Sequence, residues 1–275
     1  MDNIYLPHPA RIIEVKQETP DIKTFKLKFD DEAIGRSFDY KPGQFVEASV
    51  SGEGEATFCV SNSPTRKGSI ECSVKKMGKV TQGLHELDVG DPVGLRGPYG
   101  NGFPVEEMKG KNLVFIAGGI GLAPLRSLIN YCLDKRADYK TITIINGARS
   151  SKDLVYKDEY KVWEKAKDTH LHLTVDYQEE NWTCMVGMVP KILEEVKPTC
   201  ENSIAIICGP PIMIKFTMPV LMKLGFCGPA IITTLEMKMK CGVGKCGRCN
   251  IGSRYICKDG PVFNYAQLEE LGYGF

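Results

Sequence analysis

Four cysteines near the C-terminal end, Cys241, Cys246, Cys249 and Cys257, follow the spacing C-x4-C-x2-C-x7-C. A [2Fe–2S] cluster needs four thiolates shared between two irons, and such clusters use the spacing C-x4-C-x2-C…C. Glycines between the cysteines let the chain wrap closely. Main-chain N–H groups there, with Lys245 and Arg248, can offset the negative charge. A structural zinc site is the alternative. Zinc sites normally carry two short C-x2–4-C knuckles with a longer spacer between them. Here the second knuckle is missing, and the first three cysteines crowd into nine residues.

A second chemistry is written at 113–124, LVFIAGGIGLAP. An apolar strand runs into a glycine turn and a helix start, a G-x-G-x-x-P variant of the dinucleotide fingerprint. Gly118, Gly119 and Gly121 let a pyrophosphate approach the backbone. Leu122 and Pro124 open a helix whose first N–H groups and positive dipole end face that anion. Pro124 suits the first turn, where no hydrogen bond is lost. A second such turn, Cys208-Gly209-Pro210, also follows a buried strand and opens a helix. One dinucleotide can span both. Arg149, after a third strand, lies either against an adenosine 2′-phosphate or in solvent.

These residues need elements to hold them. Residues 1–107 read as short, partly alternating strands separated by turn clusters such as Lys41-Pro42-Gly43 and Gly97-Pro98-Tyr99-Gly100. This is the pattern of an antiparallel barrel or sandwich. Only Val80 to Leu87 reads there as a helix. From 108 to 235 buried strands alternate with helices, which implies a parallel, doubly wound sheet. Residues 236–275 are too few to bury a core of their own, so they need a metal site or a neighbour.

Composition excludes several classes. The chain has 275 residues with 35 basic and 34 acidic side chains, so no basic excess points to nucleic acid. The 11 cysteines are an odd number without a disulfide-framework spacing, which reads as a reducing, cytoplasmic setting. Cys72, Cys132, Cys184, Cys200 and Cys227 read as small apolar residues. The N-terminal residues lack the basic and apolar regions of a cleaved signal peptide. The apolar stretch Leu113–Leu133 contains three glycines, Pro124 and Arg126, so it reads as strand, turn and helix, not as a membrane span. His170 and His172 alternate along a strand and read as an ordinary pair.

Taken in order, a β region, AGGIGLAPLRSLINY, CGPPIM and MKCGVGKCGRCNIG make an arrangement that resembles the ferredoxin–NADP reductase superfamily. With GPYGNGFPVEEMKGK, these segments are most similar to the γ subunits of sulfhydrogenase-type cytoplasmic hydrogenases. The dihydroorotate dehydrogenase electron-transfer subunits and the flavin subunits of heterodisulfide reductase-linked complexes are related branches. The resemblance covers the whole chain. It implies three parts: an antiparallel β-barrel flavin domain, a Rossmann-like α/β NAD(P) domain and a small [2Fe–2S] domain.

The superfamily's flavin motif, R-x-[YF]-S-x-x-S, falls on residues 56–62. The resemblance implies that Phe58 packs on the flavin and that Cys59 stands where a serine approaches flavin N5, with Val60 and Ser61 following. Ala56 replaces the arginine that grips the FAD pyrophosphate. A second flavin element falls on Val74, Lys75, Lys76, Gly78, Val80 and Thr81, whose helix start can take over that anion. Cys208 and Glu236 are placed in the nicotinamide pocket, where with Cys59 they are the catalytic candidates.

Electron counting links the parts. A nicotinamide moves a hydride, a [2Fe–2S] cluster moves one electron, and a flavin does both. The expectation is an electron-transfer subunit that binds FAD, NAD(P)H and a [2Fe–2S] cluster. Its partners are other redox subunits, of a hydrogenase or of a heterodisulfide reductase-like complex. A stand-alone NAD(P)H reductase and a nucleotide-binding redox sensor are the alternatives.

Overall fold

The computed structural model describes residues 3–275. The first part is a six-stranded antiparallel sheet: β1 (His8–Thr19), β2 (Ile22–Phe29), β3 (Phe45–Val50), β4 (Gly54–Cys59), β5 (Ile70–Lys75) and β6 (Pro92–Tyr99). The strand order is β4-β3-β6-β1-β2-β5. The sheet curls until its edges meet, where Ser61, just past β4, donates its N–H to the Glu71 carbonyl of β5 at 2.8 Å. Alternate residues such as Ile12, Phe25, Leu27, Val46 and Leu95 fill the interior.

Two helices decorate this barrel, α1 (Glu32–Ser37) and α2 (Lys79–Glu86). The sequence reading has only the second. Helix α1 is six residues long and buries none of them, so it leaves no apolar periodicity to read. Its one local sign is the N-cap, where the Asp31 carboxylate accepts from the Ala33 N–H at 2.7 Å.

The second part holds β7 (Asn112–Gly118), α3 (Leu122–Asp134), β8 (Ile142–Ala148), α4 (Lys157–Lys165), β9 (Thr169–Val175), β10 (Met185–Val186), α5 (Val189–Val196), β11 (Ser203–Cys208), α6 (Pro211–Lys223) and β12 (Ile231–Thr234). From Leu113 onward strand β7 is apolar because both its faces are covered. Leu113, Phe115 and Ala117 pack with α3 and Trp163 of α4; Val114 and Ile116 pack with α5 and α6.

The tail has β13 (Asn250–Ile251), β14 (Arg254–Tyr255), α7 (Ile256–Asp259), β15 (Val262–Asn264) and α8 (Tyr265–Glu270). Strand β15 pairs antiparallel with β12 and completes the order β10-β9-β8-β7-β11-β12-β15. The tail is therefore stitched to the second part's own sheet. Among the described residues no helix is long and apolar enough to cross a membrane.

Arg126 of α3 joins barrel to α/β part. It is 8% exposed and reaches Glu71 at 2.6 Å, Glu159 at 2.6 Å and the Ser61 carbonyl at 3.2 Å. Its guanidinium lies 4.7 Å from the Tyr156 ring centre. Arg126→Met leaves two half-buried carboxylates facing each other without a cation. We expect a loss of about 3–5 kcal/mol in urea unfolding, with Arg126→Lys in between. A loss below about 1 kcal/mol would show that the pair of bridges adds little.

Candidate functional site

The chain runs from β7 to β8 on one side, then returns to β11 on the other side of β7. The carboxyl ends of β7 and β11 therefore flank a crevice, the place where open α/β sheets take ligands. Both glycine turns lie there and interlock. A Cβ on Gly121 would sit 2.5 Å from the Cys208 carbonyl oxygen, so that glycine serves the contact between the turns. Gly119 is different. Its φ is +55° and nothing lies within 4 Å of where a Cβ would point, so its backbone is open to an incoming group. Gly118 and Leu122 are buried, Pro124 and Gly209 half-buried, and Pro210 and Arg149 exposed.

On the barrel, Phe58 and Cys59 end β4 half-buried. The neighbouring candidates Val60, Ser61 and Val74 are at most 1% exposed. The Ser61 hydroxyl donates to the Glu71 carbonyl at 3.0 Å, so this side chain closes the barrel. Beyond β5, Lys75 pairs with Asp21 at 3.3 Å, while Lys76 and Gly78 are exposed. The Thr81 hydroxyl accepts the Met77 and Gly78 N–H groups at 2.9 and 2.8 Å and fixes the turn into α2. The first-turn amides of Lys79, Val80 and Thr81 have no partner inside the helix.

The catalytic candidates come from three separate stretches and converge. Burial raises the Cys59 thiol well above its ordinary range, and Cys72, Cys208 and Glu236 add to the shift. Burial also pushes Cys208 up to about 11, against a hydrogen bond donated by the Thr234 hydroxyl at 3.1 Å, and Glu236 adds. Both thiols are protonated at neutral pH, so they act as weak hydrogen-bond donors and not as nucleophiles. His170 is exposed and His172 half-buried on β9.

Three cluster-motif thiols are buried, Cys241 at 8% exposure and Cys249 and Cys257 at 1%; Cys246 is exposed. Main-chain N–H groups point at the sulfurs: Lys245 and Cys246 to Cys241 at 3.2 and 3.4 Å, Gly244 to Cys257 at 3.1 Å, and Cys257 to Cys249 at 3.4 Å. Burial works against ionising Cys241, yet the Val243, Cys246 and Lys245 amides and the Cys246 thiol bring it down to about 6. Burial and the Cys249 thiol push Cys257 up to about 12, against the Gly244 amide. Among the described residues no three acidic, His or Cys side chains gather for a single ion. Cys246 neighbours Cys241, and Cys249 neighbours Cys257.

A strap from the barrel holds this loop. Arg96, 3% exposed on β6, grips Glu55 of β4 at 2.8 and 2.5 Å and donates to the Cys241 carbonyl at 3.1 Å. The Tyr99 ring lies against Gly242, where any Cβ would come within 2.8 Å of it. Asn101 donates to the carbonyls of Asp259 and Val262 at 3.1 and 2.8 Å and accepts the Val262 N–H at 2.9 Å. The sequence marks Gly97-Pro98-Tyr99-Gly100 as a turn cluster and does not reveal the roles of Arg96, Tyr99 and Asn101. The partners lie 145 to 161 residues away, and nothing local announces them.

A cavity of about 470 Å³ lined by Phe29, Phe38 and Tyr40 lies elsewhere on the barrel and contains none of the candidate residues.

Comparison with known proteins follows this partition. Residues 9–103 match the oxidoreductase FAD-binding domain, 115–218 the oxidoreductase NAD-binding domain, and 236–269 the iron–sulfur cluster binding domain of dihydroorotate dehydrogenase B. The sulfhydrogenase 1 subunit gamma of Pyrococcus furiosus is 41% identical over 274 residues, covering 97% of this chain and 94% of that one. A probable dihydroorotate dehydrogenase B (NAD(+)) electron transfer subunit of Methanocaldococcus jannaschii is 32% identical over 259 residues, covering 94% and 89%. A solved chain of the NADH-dependent reduced ferredoxin–NADP oxidoreductase, described for flavin-based electron bifurcation, superposes with a TM-score of 0.76. It is 26% identical, and the match covers 98% of this chain and 94% of that one.

Glu47 of β3 is 1% exposed beside the strap. Burial raises its carboxyl to about 7, opposed by the Thr57 hydroxyl, increased by Glu55 and opposed by Arg96. The folded state therefore holds this proton more tightly than the unfolded chain, whose value is near 4.5. Stability falls as pH rises between those two values. Glu47→Gln should remove that slope and leave the variant roughly 2–3 kcal/mol more stable than the parent at pH 8. Denaturant titrations at several pH values check this, and parallel pH profiles would contradict it.

Proposed function

We propose, for a chain that belongs to the family of sulfhydrogenase γ subunits and dihydroorotate dehydrogenase B electron-transfer subunits, that it is the nicotinamide-linked electron-transfer subunit of a larger cytoplasmic redox complex. Its FAD-binding and NAD-binding domains and its iron–sulfur domain make it an NAD(P)H-dependent flavin oxidoreductase subunit. A bound flavin would exchange hydride with the nicotinamide and single electrons with a [2Fe–2S] cluster.

The chain's own residues fit these groups. Phe58 offers an aromatic face at the end of β4, and the free first-turn amides of α2, with Lys76, offer an anion site in place of the arginine that Ala56 lacks. The open backbone at Gly119 and the start of α3 suit a nucleotide pyrophosphate. Cys208 and Glu236 line the nicotinamide side, and Cys59 presents a protonated thiol from the barrel side. Four thiols in two pairs, ringed by main-chain N–H donors, suit two irons better than one zinc. Arg149 is exposed just after β8, and we assign it the contact that would choose between NADP and NAD.

The observation that carries this reading is convergence. Cys59 of the barrel lies near Cys208 of the α/β part and Glu236 at the start of the iron–sulfur segment, and the same barrel clamps the cysteine loop through Arg96. The exposed Cys246 gives the loop an outer edge toward a partner.

The test is anaerobic addition of NADH or NADPH to the purified protein. Flavin absorbance should bleach with at least one of them. Cys246→Ser should lose the visible iron–sulfur absorbance and still bleach its flavin. Bound flavin that neither nucleotide bleaches, or full iron and sulfide in the variant, would contradict the assignment.

A further inference from the structure

A row of buried hydroxyls joins the boundary between barrel and α/β part to the surface. Tyr156, the residue before α4, is 1% exposed, and its hydroxyl lies 2.5 Å from that of Ser73 on β5. Ser73 lies 2.8 Å from the Thr24 hydroxyl of β2, and Thr24 donates to a Glu18 carboxylate oxygen of β1 at 3.1 Å. The other Glu18 oxygen accepts the Tyr156 N–H at 2.8 Å. Lys16 stands 3.4 Å from Glu18 and 2.9 Å from Asp158, whose side chain is 79% exposed. Tyr160 also lies near Glu18, but its hydroxyl donates to the Val155 carbonyl at 2.6 Å and is outside the row.

The carboxylate fixes the direction of the row. It can only accept, so the one Thr24 hydroxyl proton points at Glu18. The Ser73 proton must then point at Thr24, and the Tyr156 proton at Ser73. Among the described residues nothing donates to the Tyr156 oxygen, which leaves it able to take a proton. Burial raises this phenol far above its ordinary range, against Arg126 and Ser73, and Cys59 and Glu18 add to the shift. The inner end of the row therefore adjoins the Cys59 side of the crevice. Tyr156 is also held at φ +60° and ψ +34°, a left-handed conformation that costs a non-glycine residue about 1–2 kcal/mol. That strain keeps one tyrosine on the network at both ends, its N–H on Glu18 and its O–H on Ser73.

We propose that Tyr156, Ser73, Thr24 and Glu18 form the proton exit of the redox crevice. The inference rests on the function proposed above. A hydride carries two electrons and one proton. The electrons go on singly to the cysteine loop and the nucleotide leaves oxidised, so one proton per hydride stays behind. Cys59 and Cys208 are already protonated and cannot take it. Tyr156 takes it as its own proton moves to Ser73. Ser73 passes one to Thr24 and Thr24 one to Glu18, which sheds it to water beside Lys16 and Asp158. Each hydroxyl ends with the one proton it began with.

The flavin- and iron-loaded protein is mixed with NADH or NADPH, and flavin bleaching is followed together with proton release to an indicator dye in weak buffer. In Ser73→Ala, bleaching should stay within about twofold of the parent while proton release slows about tenfold or more. Ser73→Thr, which restores the hydroxyl, should recover the parent rate. Tyr156→Phe replaces Ser73→Ala under the same criterion if the latter does not fold. A second readout needs no turnover: in the resting protein, the infrared carboxylate band that disappears in Glu18→Gln should shift in Thr24→Val. Normal bleaching with proton release at the parent rate in Ser73→Ala, or an unmoved band in Thr24→Val, would overturn the exit alone. A parent whose bound flavin neither nucleotide bleaches would overturn the proposed function and the exit with it.

Discussion

The guanidinium of Arg96 is buried between a carboxylate of its own barrel and the main chain of a loop 145 residues away. A buried charge is tolerated only when it is paired and its donors are satisfied. Glu55 takes one edge of the fork in a bidentate pair, and Cys241 and Tyr99 take the other. Moving the loop away would strand that charge, so the loop cannot drift from the barrel without a large cost. Asn101 repeats the arrangement with neutral groups just beyond Cys257. A tail too small to fold alone is thereby held on both sides of its cysteines by one segment of the flavin domain.

The same logic joins the other parts. Arg126 bridges Glu71 of the barrel and Glu159 of α4. This fixes the angle at which the β7 and β11 turns meet the end of β4, and so brings Cys59 opposite Cys208. Strand β15 then ties the tail to the sheet that carries the nucleotide turns. Every redox-related segment is braced to the other two, and the barrel stands at the centre.

How much of this is legible in the sequence depends on the range of the interaction. The cysteine spacing is local, and so are the apolar run of β7 and the glycine turn after it; each is read directly. The convergence of Cys59, Cys208 and Glu236 follows only from the family resemblance, because the residues sit on three separate segments. The Arg96 strap and the β15 pairing are long-range and leave no local pattern. Val262–Asn264 is too short for a period of two to register. Ser61 and Val74 are motif positions whose side chains close or fill the barrel, so their backbone is what they can offer a ligand. Gly121 carries a packing role as well, since its missing Cβ makes room for the Cys208 carbonyl.

On the proposed function one chain positions all three carriers, so electrons would pass from nicotinamide to cysteine loop within a single molecule. Rapid mixing with the reducing nucleotide, freeze-quenching and electron paramagnetic resonance of the cluster measures this directly. The reduced-cluster signal should grow after flavin bleaching at a rate independent of protein concentration. A rate proportional to protein concentration, or flavin bleaching with no cluster signal at all, would contradict it.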